Sequence, residues 1–567
     1  MTIPFSDNKS QSKINDSVLK EEEQLVESVA QTNFGMPYIN LSGMPIEADS
    51  LKYIPEDMAR QAGLAPFKAG GKHIHIAIRT PENKNLEAIK KSLADQGMIT
   101  HFYLASLASL NRVYERYAEI SHATVSREGG IDISGETLAR LGAQIKTMQD
   151  VSNDINAVAK LNDLHSTSRL LEIILAGAII VGASDIHIEP EEDFIRLRYR
   201  LDGVLEEIAQ LNLAKYHLIN SRLKLLSGLK LTQTDTAQDG RFSIFYKDEE
   251  IGIRTSTVPG AYGEGIVMRL LDPKTTQVKF EDLGIEPKLF AILDEQIKKP
   301  HGLILITGPT GSGKTTTLYS FLRRIYSSEI KIITVEDPIE YHLPGITQTQ
   351  ADTVKYAFAD AVRSAVRQDP EVCMVGEIRD KETAGVAINF ALTGHMVFST
   401  LHTNSAAGVI PRLIDLGANP KILVSALSVS MAQRLVRKLC VECKQKTVLG
   451  ADAEKRITKI INYAQKNGKD FTSYDIKINS PFEVYEPVGC DKCNFTGYKG
   501  RIGVFEAILT DNALAELIPT SPSEHEIEKI ADKQNILNMR EDGVVKLLKG
   551  ITSYEEVLGA IDLDFEE

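Results

Sequence analysis

The chain has 567 residues, enough for three or four domains, and its 43% hydrophobic and 25% charged content is that of an ordinary globular protein. Its net charge of −13 argues against a general affinity for nucleic acid, which needs clustered Lys and Arg. The longest apolar stretch, Ile173-Ile-Leu-Ala-Gly-Ala-Ile-Ile-Val-Gly-Ala183, falls short of the roughly 20 residues that cross a bilayer and reads as a buried helix. The opening MTIPFSDNKSQSKINDS lacks the apolar core of a signal peptide, so a cytoplasmic protein is expected.

Residues 1–34 are polar and charge-rich, with the run Lys20-Glu-Glu-Glu23, and are expected to be a disordered tail or a loose helix. Residues 35–120 alternate short apolar runs with helix patterns: Ile74-His-Ile-Ala-Ile78, then Asn85-Leu-Glu-Ala-Ile-Lys-Lys-Ser-Leu93, then Ile99-Thr-His-Phe-Tyr-Leu104. This predicts a small α/β domain with no chemical motif, which suits docking better than catalysis. Residues 121–165, polar with Gly129-Gly130, predict a linker with some helix. Residues 166–275 open with the apolar helix and continue in strand-like alternations. In Phe194-Ile-Arg-Leu-Arg-Tyr-Arg200 the alternation puts Arg196, Arg198 and Arg200 on one face. From residue 285 strands and helices alternate, as in a parallel α/β core, and the chain closes in a cysteine-bearing insert, 440–493, and a helical tail ending at 567.

The chemistry concentrates in that core. Gly308-Pro-Thr-Gly-Ser-Gly-Lys-Thr315 follows the apolar run Leu303-Ile-Leu-Ile306 and precedes a helix pattern, the strand–loop–helix context of a phosphate-binding loop. Its glycines let successive N–H groups turn toward a polyphosphate, and the helix start adds partial positive charge. Lys314 is placed to reach the β/γ-phosphates and Thr315 to ligate Mg²⁺. Three later strand patterns end in polar groups. Lys331-Ile-Ile-Thr-Val335 leads to Glu336-Asp337-Pro338-Ile339-Glu340; Val372-Cys-Met-Val375 leads to Glu377; Met396-Val-Phe-Ser399 leads to His402. Carboxyl ends of parallel strands are where ligands bind. Phosphoryl transfer to water needs such a set: a carboxylate for Mg²⁺, one to orient water, and a polar group near the γ-phosphate. Cys440-x-x-Cys443 and Cys490-x-x-Cys493 read as one tetrahedral Zn²⁺ site, or else as two separate thiol pairs; 46 residues lie between them. Cys373, inside an apolar run, reads as a small buried hydrophobe.

The runs GPTGSGKTTTLYS, ITVEDPIEY, RQDPEVCMVGEIRDKETA and STLHTN resemble the secretion ATPase superfamily of type IV pilus and type II secretion systems. Ala183-Ser-Asp-Ile-His-Ile-Glu-Pro190, Arg198-Tyr-Arg-Leu-Asp-Gly203, Gln238-Asp-Gly-Arg241, Arg254-Thr-Ser-Thr257 and Gly263-Glu-Gly-Ile-Val-Met-Arg-Leu-Leu271 resemble that family's second N-terminal domain. The four cysteines match the zinc insert of its assembly and export branch. The resemblance spans roughly residues 35–567. It implies a multi-domain α/β protein with a RecA-like ATPase core over 285–567, a PAS-like α+β domain over 166–275 and the small N-terminal α/β domain in front.

By position the resemblance makes Gly308 through Thr315 (Gly308, Pro309, Thr310, Gly311, Ser312, Gly313, Lys314, Thr315) the ATP-binding loop, with Thr315 and Glu377 on Mg²⁺. Glu340 matches the catalytic glutamate, with Glu336 and Asp337 in the same acidic box; which carboxylate is the base stays open. His402 matches the histidine-box residue, Arg254 and Arg269 match arginines brought to the nucleotide by the second domain, and Arg363 and Arg367 precede the magnesium-binding strand. Read from the residues alone, an arginine alternating on a strand is equally a solvated face. The implied activity is ATP hydrolysis by a cytoplasmic homo-hexamer, peripheral at the inner face of the cytoplasmic membrane. It drives pilus or pseudopilus assembly through an inner-membrane platform protein and docking proteins. Cyclic di-GMP-binding members carry repeated R-L-G-x-x-L patterns; residues 1–120 carry none, and Arg140-Leu-Gly142 stands alone. The rival class is a nucleic-acid-translocating phosphate-loop motor, against which the acidic balance and missing basic–aromatic strips speak.

Overall fold

The computed structural model describes residues 22–117, 141–160, 166–271 and 278–564, apart from short interruptions at 43, 45, 47, 71, 84–85, 96–97, 143, 247–248, 352–355, 477 and 479. Two compact units divide between Leu270 and Leu271. Residues 1–21 of the expected tail, and 118–140 and 161–165 of the expected linker, lie outside the described residues.

The remainder of the tail is folded. Residues 22–29 are helical and run into the π-turn Ala30–Phe34, closed by Gly35 at φ 58°. The Glu23 carboxylate accepts from the hydroxyls of Tyr38, Ser106 and Ser109, which ties this segment to the N-terminal domain. That domain is a three-stranded sheet: β1 (Leu64–Gly70), β2 (His73–Ile78) and β3 (Ile99–Leu104). β1 and β2 are antiparallel; β2 and β3 are parallel, joined through the helix Leu86–Asp95. Alternation sends Ile74, Ile76 and Ile78 into the core with Leu93, Leu110 and Val113, and leaves His73 and His75 on the opposite face.

The second domain is built on a six-stranded sheet of order β6-β5-β4-β9-β8-β7. Its strands are β4 (Asp185–Pro190), β5 (Phe194–Leu201), β6 (Val204–Asn212), β7 (Gln238–Tyr246), β8 (Glu249–Gly260) and β9 (Gly263–Leu271). β5 buries Ile195, Leu197, Tyr199 and Leu201 and turns Arg196, Arg198 and Arg200 outward, as its alternation predicts. The apolar stretch lies within the buried helix Ser166–Val181; among the described residues no helix is long and apolar enough to cross a membrane. Against it packs the helix Met148–Ala159, inside the stretch expected to be a linker with some helix; its Val151, Ile155 and Val158 belong to this core. The contact is tight at Gly177, where a Cβ would sit 2.6 Å from a Val151 methyl. Its polar outer face and capping box at Thr147 disguise it locally, because only one stripe of the helix is apolar.

The second unit holds a seven-stranded sheet of order β12-β11-β13-β14-β10-β15-β18. The strands are β10 (Gly302–Thr307), β11 (Ile332–Glu336), β12 (Thr347–Gln350), β13 (Val372–Val375), β14 (Met396–Leu401), β15 (Leu427–Leu439) and β18 (Tyr498–Leu509), all parallel except β18. β10 is buried on both faces: Leu303 and Leu305 join one core with Ala387 and Ala391, and Ile304 and Ile306 join another with Leu318 and Phe321. That double burial explains its unbroken apolar run, each such side chain contributing about 1.5–3 kcal/mol. Between β15 and β18 comes the insert, with the short pair β16 (Gln445–Val448) and β17 (Glu483–Glu486) and the helix Ala451–Lys466. The architecture is the mixed α/β, multi-domain one expected.

Candidate active site

The phosphate loop leaves β10 at Thr307, and this residue pins it. The Thr307 hydroxyl lies within hydrogen-bond distance of the carbonyls of Leu401 (3.1 Å) and Thr403 (2.9 Å) and accepts from the Thr403 N–H at 2.7 Å. The bonds lock the end of β10 to the end of β14 and hold His402 beside the loop. Gly308 has φ 146°, and a Cβ there would lie 2.5 Å from the Gln433 carbonyl. Only glycine lets β15 pass this close. The helix Lys314–Ile325 starts directly after the loop, so its N-terminal dipole faces the loop.

Lys314 is half-buried, its Nζ donating to the carbonyls of Gly308 (2.8 Å) and Pro309 (3.1 Å). Burial lowers its pKa, the Glu377 carboxylate opposes that, and Arg434 lowers it further. The Ser312 hydroxyl is buried with no hydrogen-bond partner. A buried hydroxyl left unpaired is costly, and a phosphate oxygen in the loop would satisfy it. Thr315 sits half-buried in the first helical turn. Its hydroxyl and the Glu377 carboxylate are the hard oxygen donors that Mg²⁺ takes, so the residues present fit nucleotide and metal.

Glu377 follows β13 in a turn fixed by two backbone bonds, Gly376 N–H to Val335 (2.8 Å) and Ile378 N–H to Thr400 (2.9 Å). Its carboxylate lies 3.2 Å from His402 Nε2 and pairs with Arg379, which also reaches Asp337 at 3.7 Å. The loop, the turn after β13 and the turn after β14 thus meet at one sheet edge, as their order in the sheet requires.

The acidic box divides. Glu336, taken from sequence as a catalytic candidate, is 3% exposed and points inward. Its carboxylate accepts from the Tyr319 hydroxyl, from Thr334 (2.5 Å) and from Gln348 (3.2 Å). Burial raises its pKa, those donors restrain the rise, and Glu340 adds to it. The carboxylate is thus enclosed by three donors beneath the sheet edge. Tyr319, whose pKa burial and Glu336 push far up, stays a donor and also accepts from the Glu340 N–H. Glu340 lies half-buried in the turn beyond β11.

Arg363 is held by Asp360 (2.7 Å) and Glu382, and Arg367 bonds Ser364 at 3.0 Å. In the first unit, Arg254 stands on β8 opposite Arg241. Arg269 on β9 is well exposed and donates to buried Asp185 at 2.9 Å. Burial pushes the Asp185 carboxyl up, but Arg269, Ser184 and Arg200 outweigh it and hold it below the usual range.

Two residues escaped the sequence reading. Gln433 on β15 accepts from Thr317 at 2.8 Å behind the loop. Arg434, next to it, donates to the Asn404 carbonyl at 3.1 Å and lies 3.4 Å from the Cβ position of Gly308. No local signal marks them, because β15 becomes the loop's neighbour only through the strand order.

The four cysteine sulfurs lie within 4.8 Å of one another, with Cys440–Cys490 at 3.9 Å and Cys443–Cys493 and Cys490–Cys493 at 3.8 Å. Four thiolates at 2.3 Å around tetrahedral Zn²⁺ stand about 3.8 Å apart, so the residues fit zinc. The N–H groups of Gly489 (3.3 Å), Cys490 (3.2 Å) and Gly497 (3.3 Å) point at the sulfurs, as support for thiolates requires. The antiparallel pairing of Leu439 with Tyr498 brings the two knuckles together whatever the insert's length.

Comparison with known proteins gives two family matches: "Type II/IV secretion system protein" over residues 160–559 and "MshEN domain" over 34–124. The type IV pilus assembly ATPase PilB of Myxococcus xanthus is 36% identical over 541 residues, covering 95% of this chain and 91% of that one. The type II secretion system ATPase E of Vibrio cholerae is 44% identical over 391 residues, 69% of this chain and 74% of that one. The type II secretion system protein E of Aeromonas hydrophila is 42% identical over 424 residues, 72% and 81%. Among solved structures, the pilus retraction motor PilT with bound ADP is 25% identical, with TM-score 0.46 over 69% of this chain and 96% of that one. With phosphate loop, strand-end turns and cysteine knuckles in place and the secretion match spanning well over half its length, the chain belongs to the type II/IV secretion system protein family.

Proposed function

We propose that this chain is an ATPase that works as a homo-hexamer and couples ATP hydrolysis to assembly of a type IV pilus. The observation that carries the reading is the meeting of Lys314, Glu377 and His402 at one sheet edge beside the phosphate loop. The loop N–H groups and Lys314 would hold the β/γ-phosphates. Thr315 and Glu377 would hold Mg²⁺, which when bound neutralises developing phosphate charge. His402, within hydrogen-bond distance of Glu377, keeps that carboxylate oriented. Glu340 orients the attacking water, and Glu336 acts as a positioning residue through Tyr319. In the ring, Arg254 and Arg269 would reach the nucleotide of a neighbouring subunit and add positive charge near its γ-phosphate. Zn²⁺ on the four cysteines is structural, since four thiolates leave no open position.

The choice of a pilus over a secretion pseudopilus rests on coverage. The pilus assembly relative aligns over nearly the whole chain, N-terminal domain included, whereas the secretion relatives align over about seven-tenths. The ring would sit at the cytoplasmic face of the inner membrane, against a platform protein, with the N-terminal domain docked to neighbouring components. The test is complementation of a strain lacking this gene. The wild-type chain restores surface pili and Glu340→Gln does not, while the purified wild type hydrolyses ATP. Restored secretion without pili would reverse the choice, and no ATP turnover by the assembled wild type would overturn the reading.

A further inference from the structure

The sheet of the N-terminal domain carries a histidine cluster far in sequence from every residue of the candidate active site. Alternation along β2 puts His73 and His75 on the face opposite the core, and the parallel register pairs His75 with His101 on β3. His73 Nδ1 and His101 Nε2 are 2.9 Å apart. The three rings stack as a ladder, His73 on His101 at 5.2 Å between centroids and His101 on His75 at 4.9 Å. His75 Nδ1 is 3.0 Å from the Tyr103 hydroxyl, whose ring in turn packs on Phe67.

We propose that His73 and His101, joined by His75, bind a divalent transition-metal ion of the Zn²⁺ or Ni²⁺ class. Neutral imidazole is the commonest ligand for such ions. Two nitrogens on one tetrahedral Zn²⁺ stand about 3.3 Å apart, given N–Zn distances near 2.05 Å. The observed 2.9 Å needs an opening of about 0.4 Å, and both rings must turn so that lone pairs now facing each other converge on one point. Without metal the two nitrogens share one N–H. On binding, that proton moves to the other nitrogen of its own ring and frees the second lone pair. Tyr103 engages Nδ1 of His75 and so leaves Nε2 as its ligand atom, the arrangement in which an outer partner sets a metal-binding tautomer. Among the described residues the cysteines are the only group of three or more ligands already converging on one point, so His75 must swing to join. The pair His73–His101 is the preformed part. The ion would clamp β3 to β2.

The experiment uses the full chain, dialysed against excess Zn²⁺ and then metal-free buffer, with bound zinc counted by elemental analysis. The wild type should carry one more ion per chain than His73→Ala/His101→Ala, whatever the occupancy of the cysteines. Ni²⁺ titration should show the same one-ion difference, and His75→Ala or Tyr103→Phe should weaken that binding about tenfold or more. The double variant's melting temperature without added metal should match the wild type, and added Ni²⁺ should raise only the wild type's. Equal zinc and nickel uptake by wild type and double variant would overturn the proposal.

Discussion

Replacing Glu336 with Gln separates a carboxylate that holds the acidic turn from one that activates water. The side chain is 3% exposed and accepts from Tyr319, Thr334 and Gln348. An amide offers one acceptor oxygen and turns an N–H₂ toward groups that are themselves donors. Hydrogen bonds to a charged group are worth about 1.5–3 kcal/mol, and relief of a buried charge returns part of that. The net cost is about 1–2 kcal/mol, a fall of a few degrees in melting temperature for a unit of this size. Turnover should fall only modestly, because Glu340 keeps its carboxylate. Burial raises the Glu336 pKa, so the folded state holds this proton more tightly than the unfolded chain does. Stability from this group therefore falls as pH rises from the ordinary carboxylate range through the raised value. Glu336→Gln should flatten that slope. The assay pairs phosphate release with thermal melts across mildly acidic pH. A hundredfold loss of turnover with an unchanged melting temperature would make Glu336 the base and refute the positioning role.

Three further outcomes follow from the same geometry. Lys314→Ala should abolish nucleotide binding, whereas Glu340→Gln should bind ATP normally and lose most turnover, as equilibrium binding and phosphate release will show. Cys443→Ser should strip zinc and loosen the insert while nucleotide binding survives, readable by elemental analysis and local proteolysis; a wild type without zinc under reducing conditions contradicts the site. Arg254→Ala should cut turnover on the order of 10³-fold with nucleotide binding by the core intact, and a wild-type rate would reduce it to a surface charge.

Domain truncation depends on a boundary that local composition hid. A chain starting at Ser166 removes Val151, Ile155 and Val158 from the second domain's core, whereas one starting near residue 141 keeps them.

The amino-acid sequence alone determined whatever its chemistry writes in contiguous or regularly spaced residues. The phosphate loop is legible because successive backbone N–H groups must surround one phosphate. The cysteine knuckles are legible because each pair of ligands must share a turn, and β5 because a half-buried strand alternates. The tertiary structure alone decided everything set by register and strand order. Glu336 and Glu340 are four residues apart in one acidic run, yet the end of β11 turns the first into the core while the second lies in the turn beyond. Gln433 and Arg434 became neighbours of the phosphate loop because β15 pairs with β10 across more than a hundred residues. The helix Met148–Ala159 joined the core because its one apolar stripe meets Gly177, and His75 came opposite His101 because β2 and β3 pair in parallel. A single sequence records side-chain chemistry and local period, but not which distant strand will lie 4.8 Å away, because long-range pairing is settled by the packing of whole faces.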